Sequence, residues 1–186
     1  MVFSSLLFMF KYLPVVLAVY YLAPVKWRNL WLFIVNLVFY GWGEPVYIVL
    51  MMFSITINYY AGLLICRWRS DEKRAKRILV INIVVNLALL GFFKYYDLFA
   101  STLSMLPGID VPTLGLTLPI GISFYTFQTM SYPIDVYRGD AEIQRSFISF
   151  GTFVALFPQL IAGPIVRYKD IASQLGFRAS SVEQFA

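Results

Sequence analysis

Long apolar runs alternate along this chain with short polar stops, and the spacing predicts helices throughout. The first run, Val2 to Ala23, is interrupted only by Lys11 and Pro14, and a second goes from Trp27 to Gly43, ending in the turn Trp42-Gly43-Glu44-Pro45. The third, Val46 to Cys66, has about 20 residues, enough to cross roughly 30 Å of hydrocarbon. The fourth, Ile78 to Phe93, is rich in Ile, Val and Leu and closes on Lys94-Tyr95-Tyr96-Asp97, an aromatic and charged belt suited to a membrane interface. Residues Ser101 to Thr117 are broken by Pro107, Gly108, Pro112 and Gly115 and read as a loop. A fifth run, Leu118 to Val136, and a sixth, Phe147 to Val166, complete the series. The pattern predicts an all-α, polytopic integral membrane protein of about six apolar helical segments, with no repeat, no low-complexity tract and no linker that would mark a second domain.

Composition strengthens this reading. Apolar residues make up 60% of the chain and charged residues 13%, against roughly 45–50% and about 25% in soluble domains. One buried core cannot absorb that excess, so a lipid bilayer is the implied solvent and partner. The first run does not read as a cleaved signal peptide, because no basic region precedes it and no small-residue cleavage site follows. The single cysteine, Cys66, excludes an internal disulfide, and reads as a packed thiol or as a palmitoylated or reactive one. With no histidine in 186 residues, a structural zinc lacks its ligands, and no metal is expected.

The net charge of +5 does not point to nucleic acid, because the basic residues concentrate in short connections between apolar runs. There they orient helices. The stretch Arg67 to Arg77 holds six basic residues against two acidic ones. The positive-inside rule places it in the cytoplasm with Lys26, Arg28 and the connection Arg138 to Arg145, and leaves the 101–117 loop outside. Simple alternation would then put Arg167, Lys169 and Arg178 outside, against the rule. The sixth run contains Pro158 and Gly163-Pro164, and such breaks at membrane depth need cover from protein or a cavity. It is therefore expected to be broken or re-entrant, the alternative being a plain kinked span.

Three stretches could carry chemistry. In LPIGISFYTFQ, beginning at Leu118, Pro119 suits the first turn of a helix, Gly121 and Ser123 permit close helix approach, and Thr126, Gln128, Thr129 and Ser131 are polar groups that should avoid lipid. They fit either satisfied helix packing or the wall of a substrate tunnel. In YPIDVYRG, Asp135 and Arg138 are three apart and close enough to pair on one helical face, as a structural pair or as a functional acid. In FPQLIAGPIVRY, the prolines flank a non-helical backbone that could line a pocket, with Gln159 on it. Arg167 could steer an anionic acyl donor or serve as an interfacial anchor. Ser123, Gln128, Asp135, Arg138, Gln159 and Arg167 are thus the candidate tunnel or substrate-lining residues. No phosphate loop, dinucleotide fingerprint or nucleophile elbow occurs.

These stretches, taken in order with the opening Met1-Val2-Phe3-Ser4-Ser5, Phe39-Tyr40-Gly41-Trp42 and Gly91-Phe92-Phe93-Lys94-Tyr95, resemble the membrane-bound O-acyltransferase (MBOAT) family over essentially the whole chain. The likeness is greatest to its bacterial alginate O-acetylation branch, with D-alanyl lipoteichoic acid transferases more distant. The resemblance implies a multi-pass enzyme of the bacterial inner membrane, with a tunnel through the bilayer. It implies transfer of an acyl group, usually acetyl, from a cytoplasmic donor such as acetyl-CoA or an acyl carrier towards an exported polysaccharide such as alginate. It also implies an extracytoplasmic acetyltransferase partner, and no bound cofactor. The family's catalytic histidine lies in a more C-terminal helical segment, and no position here matches it. No catalytic residue is therefore assigned. Family members are considerably longer, so residues 1–186 are expected to form the N-terminal part of a single such domain, inactive alone. A transporter built on broken helices, or a non-catalytic membrane scaffold, is the alternative.

Overall fold

The computed structural model describes residues 6–105, 111–115, 118–157 and 166–171, and every regular element among them is helical. The helices are α1 (Leu13–Leu22), α2 (Val25–Gly43), α3 (Ile48–Arg67), α4 (Glu72–Leu103), α5 (Ile122–Arg138) and α6 (Phe147–Ala155). Helix α3 sits centrally, packed on α4, α5 and α6. α2 pairs mainly with α6, and α1 lies against α2.

The first run begins with a π-helical turn, Phe8–Tyr12, before α1. The Leu13 N–H reaches back to the Phe8 carbonyl, and Pro14 then brings no N–H to the next rung. Phe8 stacks with Tyr12, Phe39 and Phe157, which ties this turn to α2.

Helices α3 and α4 are long and apolar enough to cross a membrane. The six spanning segments expected from hydropathy are not all reproduced at that length. Helix α6 has nine residues, about 13 Å of rise. Helix α5 has 17 residues and carries its hydroxyls and amide inward. Helix α4, with 32 residues, rises about 48 Å. It starts on an Asp71 cap, whose side chain accepts from the Arg74 N–H at 3.1 Å. It also runs straight through Lys94–Asp97 to Leu103, so the first residues of the expected 101–117 loop are helical. Asp97 then accepts from the Leu114 N–H at 2.8 Å and holds the following segment on the helix.

The start of the fifth run also departs from expectation. Pro119 precedes the helix, in a turn closed by the Ile122 N–H on the Pro119 carbonyl. Gly121 (φ 77°, ψ 2°) takes the left-handed position of that turn, so its freedom serves the backbone and not helix approach. Close approach falls to Gly62 of α3, where any side chain would run into the Tyr132 ring of α5.

Between α3 and α4, and between α2 and α6, polar side chains inside the bundle answer one another or the backbone. Asn58 of α3 accepts from Asn82 of α4 at 2.8 Å and donates to Asn86 at 2.9 Å. Asn86 and Asn58 also donate to carbonyls four residues back, and Ser54 meets Thr129 of α5. On the other side, Thr152 of α6 donates to the Asn29 carbonyl, and Asn36 accepts from the Phe157 N–H. Among lipid-like neighbours such bonds fix helix register, since an unmet amide has no water to turn to.

Candidate functional site

The chain's polar connections gather at one end of the bundle. Helix α5 finishes there on Gly139 (φ 81°, ψ 12°), whose left-handed conformation lets the Asp140 N–H return to the Asp135 carbonyl at 2.9 Å. Gly139 is doubly constrained, because a Cβ there would lie 2.6 Å from an Arg69 guanidinium nitrogen. The following residues form a corner that leads into α6. Tyr59 of α3 donates to the Arg145 carbonyl at 2.7 Å, and the Gln144 N–H donates to the Tyr132 hydroxyl at 3.1 Å. Ser146 caps α6 by accepting from the Ser149 N–H.

The segment 166–171 comes back to this same corner. Tyr168 is buried, its ring 4.8 Å from that of Tyr132 and 5.5 Å from that of Phe153, and its hydroxyl accepts from the Gln144 side-chain amide at 3.2 Å. Burial raises the Tyr168 phenol above its ordinary range, the Gln144 bond opposes this, and the Glu142 charge adds to it. Phe157, by contrast, reaches Asn36 and Phe39, well along α2. Residues 147–157, through Phe150 and Phe153, and the segment 166–171 thus both pack at this corner. The run's Pro158, Gln159, Gly163 and Pro164 lie outside the described residues.

Two open clefts flank the corner. One, of about 680 Å³, is lined by Cys66, Arg69, Val136 and residues 139–145. The other, of about 460 Å³, lies between residues 140–144 and Tyr168 and Lys169. Arg69 and Arg145 stand exposed in the first and Lys169 in the second, and the carboxylates of Asp140 and Glu142 line both. Guanidinium forks and a lysine point charge suit phosphate or carboxylate oxygens, and the two acids oppose them. Cys66 is half-buried beside Arg69 and packs against the core.

The candidates from the sequence separate on this frame. Ser123 is half-buried in the first turn of α5, at the far end from the clefts. Gln128 is buried and donates to the Phe153 carbonyl at 2.9 Å, in the last turn of α6 where carbonyls lack helical partners. Asp135 and Arg138 do not pair. Asp135 turns inward and is buried, whereas Arg138 stays exposed, because a guanidinium on that flank keeps its water only by facing out. Arg167 is exposed on segment 166–171, whose Tyr168 ring packs on Tyr132 one turn before Asp135. Arg69, Gln144, Tyr168 and Lys169 escaped the sequence reading, although basic residues on both sides of a buried Tyr168 were a usable signal.

No protein-family model matches this chain, and no solved structure matches it. Curated proteins do. The probable alginate O-acetylase of Pseudomonas aeruginosa is 43% identical over 190 residues, which take in 100% of this chain and 36% of the relative. That of Azotobacter vinelandii is 41% identical over 190 residues, covering 100% of this chain and 38% of the relative. Over its whole length the chain is thus similar to probable alginate O-acetylases, which are members of the membrane-bound O-acyltransferase family. The peptidoglycan O-acetyltransferase of Helicobacter pylori is also similar, at 31% identity over 204 residues that take in 94% of this chain and 38% of the relative. The chain thus spans a little over a third of the length of the curated relatives it matches.

Proposed function

We propose that this protein is a membrane O-acetyltransferase of the bacterial cell membrane that serves the acetylation of an exported polysaccharide. Its donor is an acetyl thioester, acetyl-CoA or an acyl carrier, presented on the cytoplasmic side, and an extracytoplasmic acetyltransferase partner completes the transfer. The observation that carries the reading is whole-chain similarity to alginate and peptidoglycan O-acetylating relatives. The placement of Arg69 and Arg145 in one open cleft and Lys169 in the other supports it. On this reading the cations bind and orient the anionic part of the donor, and α5 with its buried hydroxyls forms part of a tunnel wall. A histidine base, which the family resemblance implies for the acceptor hydroxyl, is not among these 186 residues.

The test is to disrupt the gene in its host and measure the acetyl content of the exported polysaccharides. Loss of O-acetyl groups at unchanged polysaccharide yield, restored by the intact gene, is the expected result. Unchanged acetylation would refute it, and a fall in exported polysaccharide with normal acetyl content would favour the transport alternative.

A further inference from the structure

A third cleft, of about 250 Å³, opens between the starts of α2 and α6. Its lining combines Lys26, Asn29, Ser146 and Ser149 with the apolar Trp27 and Leu30. Asp140 and Glu142 stand among the cations of the two corner clefts, whereas no acid lines this one among the described residues. Lys26 is its cation and is exposed. Arg28 is engaged elsewhere, donating to the Ala23 carbonyl at 3.1 Å with its guanidinium over the Tyr20 ring. Both serine hydroxyls already accept, Ser146 from the Ser149 N–H and Ser149 from the Asn29 amide, so each keeps an O–H to donate. Neither helix has an acidic residue in its first turn, so their positive dipole ends have no anion of their own. One turn deeper the helices close, since a Cβ on Gly151 would lie 2.5 Å from the Phe33 ring. The cleft is therefore confined to the helix ends.

An apolar track runs on from Trp27. Trp27, Ile34, Val38 and Trp42 are all exposed, and helical spacing puts them on one stripe of α2. The two tryptophans lie about 22 Å apart along the axis, as suits side chains at opposite faces of a bilayer.

We propose that this cleft binds the phosphate of an anionic phospholipid from the leaflet at the basic end, with an acyl chain laid along the stripe from Trp27 to Trp42. Lys26 supplies the charge, and the Ser146 and Ser149 hydroxyls donate to the phosphate oxygens. The stripe is what favours a lipid over a free phosphate, because a soluble anion would leave that apolar surface unused. The inference rests on the protein lying in a membrane and is independent of the acyl-transfer reading.

The test uses the full-length protein in detergent, titrated with phosphatidylglycerol or phosphatidylcholine and read by native mass spectrometry. One phosphatidylglycerol should bind more tightly than those that follow, and phosphatidylcholine should show no such first site. Lys26→Gln should weaken the first binding about fivefold. Leu30→Trp, which fills the cleft without changing charge, should weaken it at least as much. Lys76→Gln removes the same charge from the exposed start of α4 and should leave it unchanged. First binding that is unaltered by Lys26→Gln or by Leu30→Trp overturns the proposal. Equal weakening by Lys76→Gln overturns it too, as does phosphatidylcholine bound as tightly as phosphatidylglycerol. Displacement of the lipid by inorganic phosphate would assign the cleft to a soluble anion and overturn the lipid.

Discussion

The asparagine network between α3 and α4 and the α5–α6 corner treat buried polar groups in opposite ways. Between α3 and α4, Asn58, Asn82 and Asn86 exchange hydrogen bonds until their amides are met by one another or by carboxamide and backbone oxygens a turn away. At the α5–α6 corner, Asp135 is just as deeply buried but keeps one oxygen unmet, next to Val136, which lines an open cleft. A closed network has no valence left for a ligand and serves register. An open one, with mobile charges around it, has capacity to spare for binding.

The most disruptive test of the scaffold side is Gly62→Leu. Any side chain there must displace the Tyr132 ring, which is fully buried and also receives the Gln144 N–H. Overpacking of this kind costs about 1–3 kcal/mol, and thermal unfolding of the full-length protein in nanodiscs should show it. An unchanged melting temperature would mean that α3 and α5 are not in the contact described. Next comes Asn58→Leu, which strands Asn82 and Asn86. Each unmet amide should cost about 1–3 kcal/mol, while replacing all three asparagines by Leu should recover much of the loss. Equal losses in the single and triple variants would show that the network does more than satisfy itself.

Gln128→Leu leaves the Phe153 carbonyl at the end of α6 without its side-chain donor, and about 1 kcal/mol of stability should go with it. Acetyl transfer per folded molecule should stay near normal. A selective loss of activity would return Gln128 to the tunnel wall as a substrate contact. Smallest is Arg138→Ala, which should change stability by no more than about 0.5 kcal/mol. A large effect would restore the Asp135–Arg138 pair and weaken the contrast between the two regions.

Hydropathy alone was enough to place α3 within two residues of its observed start, because its apolar run is unbroken from Val46 to Cys66. It failed at the far end of α4. Lys94 and Asp97 look like a stop, but a helix passes through an interface without changing its backbone, and Ala100 packs inward beyond it. The asparagine network was invisible for a different reason. Asn82 and Asn86 share a face at helical spacing, yet their partner is 24 and 28 residues away and is selected by the register of two helices. Asp135 was recognised as a candidate and given the wrong partner, because sequence spacing ranks Arg138 first. In the fold the carboxylate turns inward while Arg138 stays exposed, a choice made by the packing of the corner and not by spacing. The candidate site was thus legible as a set of residue types, and illegible as a set of neighbours.

The most direct measurement is acetyl transfer in sealed inside-out membrane vesicles that contain the full-length protein, its membrane partners and the acceptor glycan in the lumen. Labelled acetyl-CoA, or the loaded acyl carrier, is supplied only to the outer, cytoplasmic face. Covalent label on the luminal glycan, reduced when Arg167 and Lys169 are both replaced by Gln, is the result expected from donor capture at the basic end. Label that appears only when the donor is enclosed in the lumen, or that is indifferent to those two replacements, would contradict it.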